Sequence, residues 1–381
     1  MYNDTMSNSA DIVIIGGGVI GLTTATFAAR NAVSIAVLDR GELGREASWA
    51  GAGIIPPGNP SRVTSQYDIL RALSSSMYPQ FSEQLRQETG IDNGYRRCGG
   101  IEWLFPGDEE LPREWAKEGI TFERLSACKI SYLEPEIGVP DGIPFHFPDM
   151  AQVRNPWHVR ALIAMCEKRG IALRSHQPVE GFERQGDRIT AVQLKNGERW
   201  QAGQFVIAAG AWSDLLLDMV GVKLGVHPVR GQMVLYHTPA PLFRSVLLHG
   251  KRYLVPREDG RTLVGSTEEP EVGFHKANTS SAIDELRAFA VSMVPALASA
   301  EVETSWAGLR PGSVDGLPFI GRLSGFENLF VSAGHFRAGI QLSIASGLGL
   351  SELLLNQPST VPLEPFRPDR SPATFRASFR S

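Results

Sequence analysis

Three side chains in the chain are suited to holding a small charged molecule: Tyr253, Arg310 and Arg337. A guanidinium presents a planar fork of donors, so it takes a carboxylate through two parallel charge-assisted hydrogen bonds. Arg310 and Arg337 each follow an apolar, strand-like run and are flanked by glycine, which predicts a loop position for both. The plain alternative is that they are ordinary surface arginines. Tyr253 adds a hydroxyl donor. No Ser-His-Asp or Cys-His pattern is visible, and no paired carboxylates stand out for acid–base work. The eight histidines show no HExxH or other metal spacing, so no metal site is read.

The N-terminal region offers a place for a bound group that would carry the chemistry instead. Residues 12–15 are an apolar run suited to a buried parallel strand. Gly16, Gly18 and Gly21 follow with GxGxxG spacing. The first glycine lets the chain turn, the second lets the backbone approach a pyrophosphate, and the third lets the next helix pack closely. A helix over residues 22 to about 30 would aim its positive end at phosphates. A second strand over 34–38 then delivers the Asp39 carboxylate to a ribose hydroxyl. With strand, glycines, helix and acid in this order, the segment predicts dinucleotide binding. If the dinucleotide is a flavin, the lack of an acid, base or nucleophile is understandable, because the isoalloxazine accepts the hydride and the protein positions the substrate.

These groups need a frame, and 381 residues suggest two domains or one large domain with an insertion. Hydrophobic content of 43% and charged content of 20% are ordinary for a globular protein. A net charge of -4 gives no reason to expect nucleic acid or an anionic membrane as partner. No apolar run approaches the roughly 20 residues that span a bilayer. Residues 1–10 are polar and lack a signal design, so they read as a short disordered lead-in, with Met6 as an alternative start. Cys98, Cys128 and Cys166 are odd in number and widely spaced, which argues for a reducing compartment and a cytoplasmic location.

Along the chain, a glycine-rich loop over 41–58 precedes a helix over about 67–88, with Leu70, Leu73, Met77, Phe81 and Leu85 as its core face. Residues 99–147 read as short strands and proline-punctuated loops, and 156–170 as a helix. Strand pieces at 171–174 and 191–194 bracket Pro178 and Val179, where a strand could pass an adenine. Residues 205–212 read as a buried strand ending in small residues. Ala208 to Ala211 are either a close turn or backbone lying against the bound group. Alternating strands at 232–236, 253–255 and 262–265, interrupted by a helix over 281–294, resemble an antiparallel sheet inserted into the nucleotide domain. The final helix, about 342–355, carries Gly347 and Gly349 for tight packing. The reading is a mixed α/β fold. A discontinuous Rossmann-like domain (1–95, 150–224, 306–381) carries a substrate-binding domain (96–149, 225–305).

Several segments together resemble the D-amino-acid oxidase superfamily of FAD enzymes, and most closely the glycine oxidases of bacterial thiazole (thiamine) biosynthesis. They are IIGGGVIG at 14–21, REASWAGAGI at 45–54, YLVPR at 253–257, VGST at 264–267, WAGLRPG at 306–312, DGLPFIG at 315–321 and GHFRAGIQ at 334–341. The resemblance implies a noncovalent FAD. Its diphosphate and ribose would lie around Gly16, Gly18, Val19, Ile20, Gly21, Asp39 and Arg40. Ala47, Ser48, Ala52, Gly53 and Ile54 would continue along it, and Val179 would meet the adenine end. His335, Phe336, Arg337, Ala338, Gly339, Ile340 and Gln341 would close over the flavin ring. Arg310 would clamp the substrate carboxylate, assisted by Tyr253 and Arg337.

The resemblance also implies a small amino-acid substrate (glycine, sarcosine or D-alanine), O2 as electron acceptor, and a homo-oligomer, dimer or tetramer. Sarcosine oxidase and D-amino-acid dehydrogenase of the same fold are the nearest alternatives. Monomeric sarcosine oxidases tether their flavin to a cysteine in the C-terminal third, and this chain has no cysteine after Cys166. A tRNA-modifying flavin domain is disfavoured by the charge. A non-catalytic flavin-binding subunit would need neither the arginines nor the tyrosine, and a nicotinamide dehydrogenase fits the C-terminal return less well than a flavin does. Two departures from the family pattern stand out. The second strand ends in Asp39 where Glu is usual. Glu268 stands where an apolar residue lies near the substrate, and it would either attract the substrate ammonium or point to solvent.

Overall fold

The computed structural model describes residues 7–372 except Thr64 and Val139. The first sheet is built around the apolar run that precedes the glycines. Strand Ser7–Ile15 is flanked in parallel by Ile35–Leu38 on one side and Arg199–Ile207 on the other. Ala172–Arg174 extends one edge and Leu329–Ala333 the other, both in parallel, with Phe319–Arg322 antiparallel at the end. A hairpin, Val179–Gln185 and Arg188–Leu194, pairs with the first half of Arg199–Ile207.

The helix Val19–Ala28 is buried over its whole length, as expected of a helix that is apolar all round. It packs on Gly339–Leu354. Gly347 makes that approach possible, since a Cβ there would lie 2.8 Å from Thr23 Cγ2 and 3.0 Å from Thr23 and Thr24 backbone atoms. The long helix Gln66–Thr89 covers the same core through Leu70, Phe81 and Leu85, with Leu73 and Met77 partly buried against it.

The second sheet has eight strands in the order Glu301–Gly312, His227–His237, Arg261–Gly265, Arg252–Pro256, Val246–His249, Gly100–Leu104, Ile143–Phe147 and Glu123–Arg124. It is antiparallel except where Val246–His249 runs parallel to Gly100–Leu104. Helix Ser280–Met293 packs on one face through Leu286, Phe289 and Met293. A small sheet of Ile54–Ile55, Ala151–Gln152 and Arg96–Arg97 lies between the two large ones in sequence. No helix among the described residues is long and apolar enough to cross a membrane.

Three sequence expectations are corrected. The lead-in read over residues 1–10 is in part a strand: residues 7–10 pair with 199–202, so backbone pairing carries the strand beyond its apolar run. Residues 1–6, Met6 included, lie outside the described residues. The region read as strands and loops over 99–147 contains two helices, Leu111–Glu118 and Ala127–Leu133. Pro112, one of the prolines of this region, occupies the first turn of a helix, where its missing N–H is no loss. Arg310, expected in a loop, lies inside the strand Glu301–Gly312, where residue 310 pairs with Val229. Residues 306–312 therefore hydrogen-bond within the second sheet, and the first sheet resumes at Phe319.

Candidate active site

One elongated cavity is shared by the two large sheets, and nearly every residue singled out above lines it. At one end, strand Ser7–Ile15 passes into Gly16, whose φ of +114° is open to glycine alone. A Cβ on Gly16 would lie 2.3 Å from the Ala208 carbonyl oxygen. Residues 208–211 thus form a close turn and also line the cavity. Gly18, Val19 and Ile20 line it at the start of the buried helix. Gly21 does not; a Cβ there would sit 2.0 Å from the Gly16 carbonyl oxygen, so its part is to let helix and turn touch.

Asp39 ties the second strand to this turn. Its Oδ2 accepts from the Gly17 amide at 2.7 Å and its Oδ1 from the Gly41 amide at 2.8 Å. Burial nevertheless pushes its pKa up, so a further donor at the cavity face, such as a ribose hydroxyl, would stabilise the charged form. Arg40 lies at the rim, 3.6 Å from the Trp212 ring centroid and 3.2 Å from Glu46. Ser48 Oγ accepts from the Val19 amide at 2.9 Å, which docks the short helix Ala47–Ala50 against the start of the buried helix. Val179 lines the cavity beside Gln177 and Pro178.

Ala52, Gly53 and Ile54 form the wall between the two ends. Behind them lies Arg257, 8% exposed. It donates to the carbonyls of Ala52 at 2.7 Å and Val153 at 3.0 Å, and to Gln152. Burial first, then the neighbouring Arg154 and Arg96, lower its pKa to about 9, so the cation persists at neutral pH. Gly53 (φ +75°) has no room for a side chain, because a Cβ would meet the Val153 carbonyl oxygen at 2.2 Å.

At the other end, Arg310 and Tyr253 come from strands of the second sheet that have two others between them. Arg310 donates to the Thr267 carbonyl at 3.0 Å and to the Ser266 hydroxyl. Burial lowers its pKa, and Tyr253, with which it shares a hydrogen bond, counters this. These bonded partners are neutral, and the Glu268 carboxylate acts on the guanidinium through space only. Two glycines make the room. A Cβ on Gly231 would fall 2.1 Å from an Arg310 Nη, and one on Gly265 would fall 2.7 Å from the Tyr253 ring. Arg337 lies in the turn Phe336–Ala338 and bonds Glu268 at 2.9 Å. Glu268 therefore neither points freely to solvent nor stands alone toward a substrate.

His335 is buried and shares a hydrogen bond of 3.1 Å with Ser346; burial lowers its pKa to about 3. It is a neutral imidazole in the wall. Phe336, Ala338, Gly339, Ile340 and Gln341 complete that wall where helix Gly339–Leu354 begins. Two helix N-termini, at Gly18 and Ala338, thus reach the same cavity and favour negative charge there. The Ser332 hydroxyl is buried in the wall with no hydrogen-bond partner.

The glycine cradle, the desolvated Asp39 carboxylate, the convergent helix termini and this orphaned hydroxyl together fit a long dinucleotide. Sequence reasoning missed Gln177, Trp212, Ser266 and Ser332. The first three carry no spacing signal. Ser332 was hidden in an apolar strand, and its polarity there was the available clue. Among the described residues, no group of His, Cys, Asp and Glu could hold a metal ion.

Comparison with known proteins agrees with this geometry. The family model for DAO, FAD dependent oxidoreductase, matches residues 11–353. A glycine oxidase of Pseudomonas putida is 38% identical over 365 residues, covering 95% of this chain and 99% of that protein. The bifunctional protein ThiO/ThiG of Synechocystis is 32% identical over 376 residues, 96% of this chain and 54% of its own length. The crystal structure of glycine oxidase from Geobacillus kaustophilus superimposes with a TM-score of 0.89 at 30% identity, covering 96% of this chain and 99% of that one. The two-sheet fold is thus that of a known group of enzymes, and the chain belongs to the DAO family of FAD-dependent oxidoreductases, with glycine oxidases among its relatives.

Proposed function

We propose that the protein oxidises glycine and other small amino acids, sarcosine and D-alanine among them, with a noncovalently held FAD and O2 as acceptor. The observation that carries this is Arg310: a guanidinium bonded to neutral groups, opening into the cavity whose far end holds the glycine fingerprint. Similarity to glycine oxidases over nearly the whole chain supports the substrate class.

Arg310 takes the substrate carboxylate through its fork, and the Tyr253 hydroxyl adds a donor to the same group. Arg337, paired with Glu268, assists from the turn Phe336–Ala338. Gly16, Gly18, Val19, Ile20, Asp39 and Arg40 hold the diphosphate and ribose, and Gly21 keeps their turn in place. Ala47, Ser48 and the backbone of Ala52 to Ile54 run along the cofactor, with Val179 at its adenine end. His335 to Gln341 would lie along its ring end. Bound there, FAD would supply the acceptor for the substrate's Cα hydride and a route for the electrons to O2, with hydrogen peroxide as the product. No cavity side chain is required as acid or base: burial makes His335 a poor proton acceptor, and the substrate's unprotonated amine drives hydride loss with its own lone pair. With glycine as substrate, water then hydrolyses the released imine to glyoxylate and ammonia; other substrates give the corresponding 2-oxo acid and ammonia or amine. The Arg310 site fixes which Cα hydrogen faces the ring.

The sequence-based division into an FAD-binding and a substrate-binding domain, a homo-oligomeric assembly, a cytoplasmic location and a supply of imine or glyoxylate for thiamine thiazole synthesis extend the same proposal. The test is hydrogen peroxide release by purified, flavin-loaded protein with glycine in aerated buffer. Peroxide at turnover rates supports the oxidase. A yellow protein that releases none with glycine, sarcosine or D-alanine contradicts it and favours a dehydrogenase.

A further inference from the structure

A ladder of charges runs from solvent into the cavity beside Arg310. Lys251 is 73% exposed, and its Nζ lies 3.2 Å from Glu268 Oε1; the Glu268 side chain is 27% exposed. Glu268 Oε2 lies 2.9 Å from Arg337, which is 15% exposed and lines the cavity. Burial alone would raise the Glu268 pKa, but Arg337 and Lys251 outweigh it and hold the carboxyl below its ordinary value. The glutamate is therefore ionised at neutral pH.

The fold brings the three together from separate places. Lys251 precedes strand Arg252–Pro256 and Glu268 follows strand Arg261–Gly265, its antiparallel neighbour. Arg337 comes from the turn ahead of the last helix. The two guanidiniums thus differ: Arg310 hydrogen-bonds to neutral partners and feels Glu268 only through space, whereas Arg337 is paired with that carboxylate directly.

We propose that Glu268 sets the charge specificity of the site, pairing with Arg337 so that the cavity accepts one carboxylate, on Arg310, and turns away substrates bearing a second acid group. A second carboxylate reaching for Arg337 must displace Glu268 or lie beside it, and like charges in a partly desolvated site repel strongly. A methyl or hydrogen substituent meets no such penalty. This inference deepens the amino-acid-oxidase reading and rests on it for the identity of the substrate.

The experiment uses two ethers that have no amine to oxidise, methoxyacetate with one carboxylate and diglycolate with two. Their binding to the flavin-loaded protein is measured by calorimetry, beside turnover of sarcosine and iminodiacetate. In Glu268→Gln, diglycolate should gain over methoxyacetate on the order of tenfold, and the iminodiacetate-to-sarcosine ratio of kcat/KM should move the same way. Adding Arg337→Gln should abolish the gain. Arg337→Gln alone, which leaves Glu268 with only Lys251 as a bonded cation, should weaken diglycolate more than methoxyacetate and gives a second, independent reading. Unchanged or inverted ratios overturn the charge filter. A shifted binding ratio with no turnover of any amine would sink the oxidase reading and leave the filter standing; turnover with unchanged ratios would do the reverse.

Discussion

The two ends of the cavity are made from different materials. The fingerprint end is backbone: a glycine at φ +114°, two amides on Asp39 and a helix start, all within residues 16–41. The Arg310 end is side chains gathered from residues 231 to 337, with glycines on neighbouring strands left bare to admit them. Backbone of one shape holds any dinucleotide, whereas side chains of particular charge choose among substrates. The first end should therefore fail all at once and the second by degrees.

The largest effect is expected at the first end. In Gly16→Val the side chain meets the Ala208 carbonyl oxygen at a φ that a β-branched residue does not adopt. The combined strain is on the order of 3 kcal/mol or more. The variant should purify colourless or fail to fold; normal flavin absorbance at the wild-type Tm would mean that the turn is not the cradle. Next, Arg310→Ala should keep its flavin while KM for glycine rises, since losing one partner of a desolvated charge contact costs on the order of 2–5 kcal/mol. Unchanged kinetics would reassign the clamp.

A smaller effect tests both ends together through their buried imidazoles. Burial depresses His335, in the cavity wall, to about 3, and His158, in helix Asn155–Lys168 beside Asn93 and Tyr78, to about 4, both from 6.5. Both stay neutral in the fold while the unfolded chain takes up protons first. Their contribution to stability is therefore complete above pH 6.5 and is lost as pH falls toward the folded values. Tm should decline over that window, and His158→Gln should make the decline shallower; an equal slope in the variant would remove His158 from the account. Smallest of all, Tyr253→Phe should raise KM by the value of one hydrogen bond, about 0.5–1.5 kcal/mol, with initial rate against substrate concentration as the readout.

The same contrast decides what could be read from the sequence. The fingerprint, the strand ending at Asp39 and the sheet to which they belong were legible because backbone demands write themselves into glycine spacing and apolar runs. The alternating strands at 232–236, 253–255 and 262–265 were legible from their period. Arg310 was found as a residue but placed in a loop, because Gly308, Pro311 and Gly312 looked like turn chemistry while strand pairing with 227–237 overrode them. Helix Leu111–Glu118 was hidden by its own Pro112. Glu268 left two readings open, and its pairing with Arg337, 69 residues along the chain by their numbers, settles a contact that no local pattern encodes.

Rapid mixing of the flavin-loaded protein with glycine in the absence of oxygen, followed by the absorbance of the bound flavin, tests the central claim most directly. The account predicts that the yellow colour bleaches at a rate that saturates with glycine in the wild type, and that Arg310→Ala loses the saturation while remaining yellow beforehand. A wild-type flavin that stays oxidised with glycine, sarcosine and D-alanine alike would contradict it.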